Sequence, residues 1–439
     1  MKVLVVSQPV FSNTNNMGKT LKGYFSCFQP SEIAQLYLRN GIPTELSSCE
    51  NYYRFSDEDA LKSILNRRIH GKRFDKENIT LAKDIDKNRK AASDLQPEGM
   101  VYKMKSKHKA WMLLLRDMMH DLSNWKNEDL LIWVREMNPD IIFFAAGDSA
   151  FSYKITDYIA RKMKKPLVVG CMDDFYINNQ NKNDFLGRFR QNQFMKVVKK
   201  TMEDADALFT ICDSMNRVYH QMFQRKCYTL HTPAVKREII LDEKAHQISY
   251  IGNVGCGRVQ SLLEIGQALS EVNSEELPGY VDVYSGTKQP EYIEKLRQAP
   301  GIRFHGAISP EQVLEVMGHS MAVIHTESFD TNMMERVRFS VSTKIAESLM
   351  YGPCLLAYGP KGIASIDYLK ENHAAYVISS RQKLKQGLQE LLGNAKLRNE
   401  ILKNARVLAE KNHDGEKNPG NVRKWLSEIA AQRIVSNDL

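Results

Sequence analysis

The sequence predicts an α/β protein of two doubly wound, Rossmann-like domains facing across a cleft, closed by a C-terminal amphipathic helix. Three observations predict it. Short apolar runs of strand length alternate with segments of helical period, and a parallel sheet covered by helices on both faces is the arrangement that buries such alternation. The alternation restarts beyond a proline-containing, charged join at His231 to Glu243, which makes a second unit. Residues 421–434 place Val422, Trp425, Leu426 and Ile429 on one helical face. The expected division is a first domain at 1–238, a second at 239–415, and a helix at 416–439 crossing back to the first domain. A chain of 439 residues can fill more than one core.

Taken in order, Met1 to Ser7 reads as a buried strand because Val3 to Val6 are continuously apolar. A polar loop is expected at Ser12 to Thr20. Beyond it Ile33, Ala34, Leu36, Tyr37 and Leu38 read as the apolar stripe of a helix stopped by Gly41. Residues 57–125 look mostly helical. Asp140 to Ala146 is strand-like and runs into Gly147-Asp148, and a helix follows at 151–163. Pro166 to Gly170 is a second strand, ending at Met172-Asp173-Asp174-Phe175. A helix at 188–203 leads to a strand at Ala207 to Cys212. In the second set, strands are expected at Gln247 to Ile251, Val281 to Tyr284, Ile302 to Phe304, Met321 to His325 and Pro353 to Ala357. Helices are expected at Ser261 to Ser270, 290–298, 310–318 and 342–351. Open sheets of this kind bind ligands beyond the carboxyl ends of their strands.

Composition narrows the classes. Hydrophobic residues make 43% and charged residues 26%, which argues against a mostly disordered chain. The seven cysteines (27, 49, 171, 212, 227, 256 and 354) form no C-x-x-C pair, as expected of reduced cytosolic thiols and not of a zinc site. No secretory pattern opens the chain and no run of 18 uncharged apolar residues occurs, so a cytoplasmic protein is expected. The net charge is +9, and residues 62–116 carry 15 Lys/Arg against 6 Asp/Glu, so the excess belongs to that segment. Lys103, Lys105, Lys107, Lys109 and Arg116 surround Trp111, Met112, Leu113, Leu114 and Leu115. Two readings stand: a face that lies on an anionic membrane at the inner leaflet, or a solvated Lys-rich helix packed through its apolar side. Nucleic acid is not expected, since aromatic interleaving is sparse.

Two segments carry candidate chemistry. Gly252-Asn-Val-Gly255-Cys-Gly257-Arg258 follows a strand and opens a helix; glycines admit a ligand close to the backbone, a helix N-terminus attracts anions, and Arg258 suits a phosphate fork. A plain tight turn with a solvated Arg is the alternative. Ser342, Thr343, Lys344 and Glu347 lie at the start of the next candidate helix. The polar side chains lie opposite Ile345, Ala346, Leu349 and Met350. There Lys344 and Glu347 are either a ligand grip or a surface ion pair. Gly18-Lys19-Thr20 lacks the upstream glycine of a phosphate loop, because position 13 is Asn13. Asp204-Ala-Asp206 joins a helix to a strand and reads as structural.

Ile248 to Asn253, Ile302 to Ile308 and above all Ser342-Thr-Lys-Ile-Ala-Glu-Ser-Leu-Met-Tyr-Gly-Pro353 resemble the C-terminal half of GT-B glycosyltransferases of the group-1, family 4-like bacterial type. The resemblance covers roughly residues 246–415. It implies that Glu347 holds the ribose of a nucleotide sugar, that Ser342, Thr343 and Lys344 face the diphosphate, and that Gly255, Gly257 and Arg258 complete the donor site. Phe339 stands where many members have a second Glu, and Gln260 and Ser261 follow Arg258 where a Lys is common. Asp148, Asp173 and Asp174 lie at strand ends of the first half and are the candidate catalytic bases if the reaction inverts; a loop or cap role is the alternative for each. The implied activity is transfer from a nucleoside-diphosphate donor, expected to be a UDP-sugar, to a saccharide or lipid-linked acceptor in bacterial surface-polysaccharide synthesis, with no metal or added cofactor. A nucleotide-sugar 2-epimerase and a non-catalytic binding protein remain the competing readings.

Overall fold

The computed structural model describes residues 1–12, 16–43, 46–75, 79, 109–177, 185–242, 244–271 and 279–437. Lys103, Lys105 and Lys107 lie outside the described residues. Met1–Leu230 with Pro419–Leu439 forms one compact unit and His231–Asn418 the other.

Val3–Ser7 (β1) is buried along its whole length. The first sheet grows outward on both sides of it. One side holds Ile33–Tyr37 (β2), Asn51–Arg54 (β3) and Lys72–Phe74 (β4); the other holds Ile141–Ala145 (β5), Leu167–Cys171 (β6), Ala207–Thr210 (β7) and Cys227–Thr229 (β8). Neighbours are parallel except β3 and β4, which pair antiparallel. Helices at Asn16–Tyr24 (α1), Asp57–Leu65 (α2), Lys109–Leu122 (α3), Glu128–Met137 (α4), Ala150–Met163 (α5), Phe185–Asp204 (α6) and Asp213–Phe223 (α7) belong to this unit.

Two local expectations are corrected. The stretch expected to be helical at Ile33 to Leu38 is β2, because all five residues of Ile33–Tyr37 are buried in register with β1. A strand covered on both faces shows no alternation, so its pattern mimics one side of a helix; only its short length betrays it. Its one polar member, Gln35, is satisfied inside: it donates to Ser7 Oγ (2.8 Å) and the Pro9 carbonyl (3.2 Å) and accepts from the Phe11 amide (3.0 Å). The expected polar loop at Ser12 to Thr20 instead enters α1, whose residues Met17, Leu21 and Tyr24, at i, i+4 and i+7, pack on the core. The segment 57–125 also contains strand β4 among its described residues.

The second sheet follows the order β11-β10-β9-β12-β13-β14, all parallel, from Gln247–Ile251 (β9), Val281–Tyr284 (β10), Ile302–Gly306 (β11), Ser320–Thr326 (β12), Cys354–Tyr358 (β13) and Tyr376–Ile378 (β14). Its helices are Arg258–Ser270 (α8), Pro290–Gln298 (α9), Pro310–Gly318 (α10), Thr331–Val337 (α11), Thr343–Tyr351 (α12), Ala364–Glu371 (α13), Leu384–Gly393 (α14) and Ala395–Asn412 (α15). The last helix, Lys417–Asn437 (α16), packs Val422, Leu426 and Ile429 into the core of the first unit, with the Trp425 ring 4.9 Å from that of Tyr228. Arg423 forks onto Glu32 at 2.7 and 2.8 Å, and these hydrogen bonds lower the Glu32 carboxyl to about 2. Asp206 accepts from the Leu167 amide (2.7 Å) and pairs with Arg433, a holding role that matches the expectation for Asp204-Ala-Asp206. Among the described residues no helix is long and apolar enough to cross a membrane.

Two histidines of the second unit are buried neutral. Burial, with Arg258 nearby, lowers His325 to about 3. Burial lowers His413 to about 4, although its Nδ1 meets the Thr232 carbonyl at 2.8 Å. In the unfolded chain both titrate near about 6.5, so below that pH the unfolded state binds more protons than the folded one. The stability of this unit therefore falls as pH drops from about 6.5 toward about 5, by up to about 1.4 kcal/mol per pH unit for each histidine. Urea-dependent hydrogen exchange in peptides covering β12 and β13 reads it, and a flat profile over that window would refute it.

Candidate functional site

In each sheet the chain reverses its direction of winding once. In the second sheet it moves from β9 through β10 to β11, and from β12 through β13 to β14 on the other side, so the reversal lies between β9 and β12. Loops leaving two such strands diverge and open a crevice at their carboxyl ends. The loop after β9 is tightly built. Tyr250 OH donates to the Asn253 carbonyl (2.6 Å), and Asn253 Oδ1 accepts from the Gly255 amide (2.8 Å). Gly257 precedes α8 at φ +79°, and a Cβ there would stand 2.5 Å from Ser328 Oγ on the loop after β12. Both the dihedral and the contact require glycine at this position.

Arg258, the first residue of α8, turns onto Glu327 at the end of β12. Nη2 meets Oε1 at 2.7 Å, Nε meets Oε2 at 3.1 Å, and Nε also reaches the Thr326 carbonyl at 3.2 Å. The Glu327 side chain is 1% exposed and that of Arg258 18%. Burial pushes the Glu327 carboxyl up and the Arg258 guanidinium holds it down. Ser261 Oγ donates to the Glu327 carbonyl (2.9 Å), which ties α8 to the same loop. Glu327 was not legible as a site residue; it lies 69 residues from its partner, and a single Glu after an apolar strand carries no local signal.

Helix α12 connects β12 to β13, so its N-terminus opens on the same sheet edge as that of α8. Ser342 is its N-cap residue and makes no capping bond with its side chain. Thr343 and Lys344 are exposed and Glu347 is half-buried. Lys344 forms no ion pair among the described residues, so the surface pair with Glu347 is not made. Burial, then the Glu347 carboxylate, raise the Tyr351 phenol one turn further on. Phe339 is a core residue, 2% exposed.

The first sheet reverses between β1 and β5. There Gln8 Nε2 donates to Asp148 Oδ1 (3.0 Å), and the Gln8 carbonyl accepts from the amides of Leu38 and Arg39 at the end of β2. Asp148 is exposed. Asp173, exposed at the end of β6, accepts from the Asp174 amide (2.9 Å). Asp174 is buried, and its Oδ1 accepts from the amides of Tyr176 (3.2 Å) and Ile177 (2.8 Å) and from Tyr219 OH (2.9 Å). Three donors on one oxygen make Asp174 a clamp for its own loop.

Among the described residues no group of three His, Cys, Asp or Glu side chains is placed to hold a metal. Residues 267–421 match the model of the glycosyl transferase-like family, a span that contains α12 but begins beyond Arg258. Anabaena HepE in complex with UDP superposes with a TM-score of 0.61 at 10% identity, covering 98% of this chain and all of that one. A trehalose-6-phosphate protein from E. coli bound with UDP-2-fluoro glucose superposes at 0.59 with 9% identity, covering 98% and 99%. The chain has a GT-B fold, and part of its second half is similar to the glycosyl transferase-like family. A curated relative, the ribosomal protein uS12 methylthiotransferase RimO of Phocaeicola vulgatus, is 26% identical over 212 residues, 41% of this chain and 45% of that protein; the match spans less than half of its length. On the GT-B fold, then, the Arg258–Glu327 fork and the start of α12 share the carboxyl edge of the second sheet, and Gln8 with Asp148 marks the corresponding edge of the first.

Proposed function

We propose that this chain is a glycosyltransferase that takes a sugar from a nucleoside-diphosphate donor, a UDP-sugar, and passes it to a saccharide or lipid-linked saccharide in bacterial surface-polysaccharide assembly. The observation that carries the reading is the arginine at the head of α8, fixed by a buried carboxylate at the strand reversal of the second sheet. In this reading the diphosphate lies against the N-termini of α8 and α12. Because Glu327 already balances Arg258, Lys344 and the two helix ends supply most of the net positive field. Arg258 acts by fixed hydrogen-bond donors; its Nη1 makes no hydrogen bond among the described residues. Charge that builds on the departing diphosphate as the glycosyl C–O bond breaks meets groups already in place. Glu347 accepts the ribose hydroxyls. On the acceptor side, Asp148 is the candidate base among the three carboxylates. One oxygen is held by Gln8 and the other makes no hydrogen bond among the described residues, whereas Asp174 is committed to its loop. The chain works at the cytoplasmic face of the membrane, with residues 62–116 toward its anionic surface.

The test is a thermal-shift series with UDP-, GDP-, dTDP- and CMP-sugars, followed by UDP release with a saccharide acceptor added. A UDP-sugar should raise the melting temperature by mass action, and release should depend on the acceptor. No stabilisation by any nucleotide sugar would sink the donor assignment. An isomeric nucleotide sugar formed without acceptor would mark an epimerase instead.

A further inference from the structure

A cavity of about 860 Å³ opens in the first unit, at the opposite edge of its sheet from Gln8 and Asp148. Leu167, the first residue of β6, lies on its wall. Because β6 is five residues long, the two edges are about 16 Å apart at the rise of a strand. Five of the lining side chains are cationic: Arg161 of α5, Lys164 and Lys165 just beyond it, Lys200 of α6 and Arg433 of α16. The acids on the wall are Asp157 and Asp204, and the apolar side chains among the described residues are Ala160 and Leu167.

These charges are not satisfied by one another. Arg161 and Lys200 share the exposed Asp204 at 2.8 and 3.5 Å, and pairs of that kind contribute little. Arg433 pairs with Asp206 at 2.8 Å. Lys164 and Lys165 form no ion pair among the described residues; Lys165 Nζ reaches Asn138 Oδ1 at 3.4 Å. Basic side chains near a helix C-terminus ordinarily answer the negative end of its dipole, about half a charge. Residues 157–167 and 196–206 with Arg433 carry eight Lys/Arg against four Asp/Glu, a surplus larger than three helix ends take up. Asp157 is the odd group in this field. Its Oδ2 accepts from Thr201 Oγ1 at 3.0 Å, whereas its buried Oδ1 makes no hydrogen bond among the described residues. Burial raises this carboxyl to about 6, with Arg161 and Lys200 opposing the rise. Cations without acids thus stand beside an acid without a donor, a wall that is incomplete by itself.

We infer that this cavity binds a compact, soluble polyanion carrying more than one phosphate, a class that includes inorganic polyphosphates and sugar bisphosphates. The volume is that of a ligand site. A single phosphate is too small to meet cations that reach in from α5, α6 and α16, so the charges must be spaced along the ligand. Ala160 and Leu167 offer no platform for a nucleobase and no trough for an acyl chain, which separates this ligand from both a nucleotide sugar and a lipid. Bound there, it bridges α5, α6 and α16 and fastens the C-terminal helix to its unit. The inference goes beyond the proposed transfer reaction and does not depend on it.

The test is calorimetric titration of the full chain with inorganic tripolyphosphate at physiological salt, with sulfate as the control. Tripolyphosphate should bind saturably and more tightly than sulfate. The double variant Lys164→Asn with Lys165→Gln should bind it at least about tenfold more weakly, the factor that a lost charge-assisted contact is worth. Asparagine suits the left-handed backbone at 164, where φ is +53°, so the fold is spared. Asp157→Asn should bind it more tightly, on the order of fivefold, by taking a negative charge from the wall. All four tryptophans lie in the same unit as the cavity, so tripolyphosphate should also raise the urea midpoint read by their fluorescence. Absence of saturable binding in the wild type, equal affinity for sulfate, or undiminished binding by the Lys164–Lys165 variant would each overturn the inference. So would a loss found in Lys344→Ala and not in that variant, which would put the anion at the donor edge, or a preference for phosphatidylglycerol vesicles over tripolyphosphate, which would make the ligand a lipid surface.

Discussion

Glu327→Ala destabilises the second unit by about 3–5 kcal/mol, and so does Arg258→Ala, whereas the double variant Arg258→Met with Glu327→Leu recovers most of that loss. The reason is the environment of the pair. Removing one partner leaves a charge in a site where the carboxylate is 1% exposed and the guanidinium 18%, without its forked hydrogen bonds. Removing both leaves apolar groups of similar volume, and buried pairs so replaced are often neutral or better. The double variant therefore separates two roles that single substitutions confuse: it should fold, and it should fail to bind UDP-sugars. All four tryptophans (111, 125, 133 and 425) lie in the first unit, so tryptophan fluorescence is blind to this change. Urea titration followed by far-UV circular dichroism reads the second unit. A folded double variant with wild-type donor affinity would make the fork purely structural. Full stability in either single variant would contradict the burial argument.

Much of the fold could be read from residue pattern alone, and the parts that could not share a cause. Strands such as Ile141–Ala145 and Leu167–Cys171 announce themselves because each is a short apolar run bounded by polar or turn residues. Ile33–Tyr37 reads as a helix because, buried on both faces, it shows no alternation, and its apolar positions 33, 34, 36 and 37 also fit a helical stripe. The site shows the same division. Gly257 and the start of α12 were visible because backbone requirements and helix ends are local. Glu327 and Gln8 were not, because each acquires its role from a partner 69 or 140 residues away. Asp174 is the instructive exception. Its bonds run to the amides two and three residues ahead, a turn-forming habit of Asp that the sequence Asp174-Phe-Tyr-Ile177 already offered.

Glu347→Ala should weaken UDP-sugar binding about 10- to 100-fold while leaving the melting temperature without ligand unchanged. Hydrogen bonds from ligand hydroxyls to a carboxylate contribute about 1.5–3 kcal/mol, which is that range of affinity. Stability is spared because the side chain is half-buried on the polar side of α12, while Ile345, Ala346 and Leu349 hold the helix to the core. Lys344→Ala gives the contrast. Lys344 is exposed and forms no ion pair among the described residues, so its contribution is a charge near the diphosphate, and its effect should shrink as salt rises. The loss at Glu347 should persist in salt, since it reflects direct hydrogen bonds. Calorimetric titration of each variant with UDP-glucose at low and high ionic strength distinguishes the two. If Glu347→Ala binds as tightly as the wild type, the ribose must be held elsewhere, and the carboxylate would be assigned to its neighbour Tyr351 on the same helix.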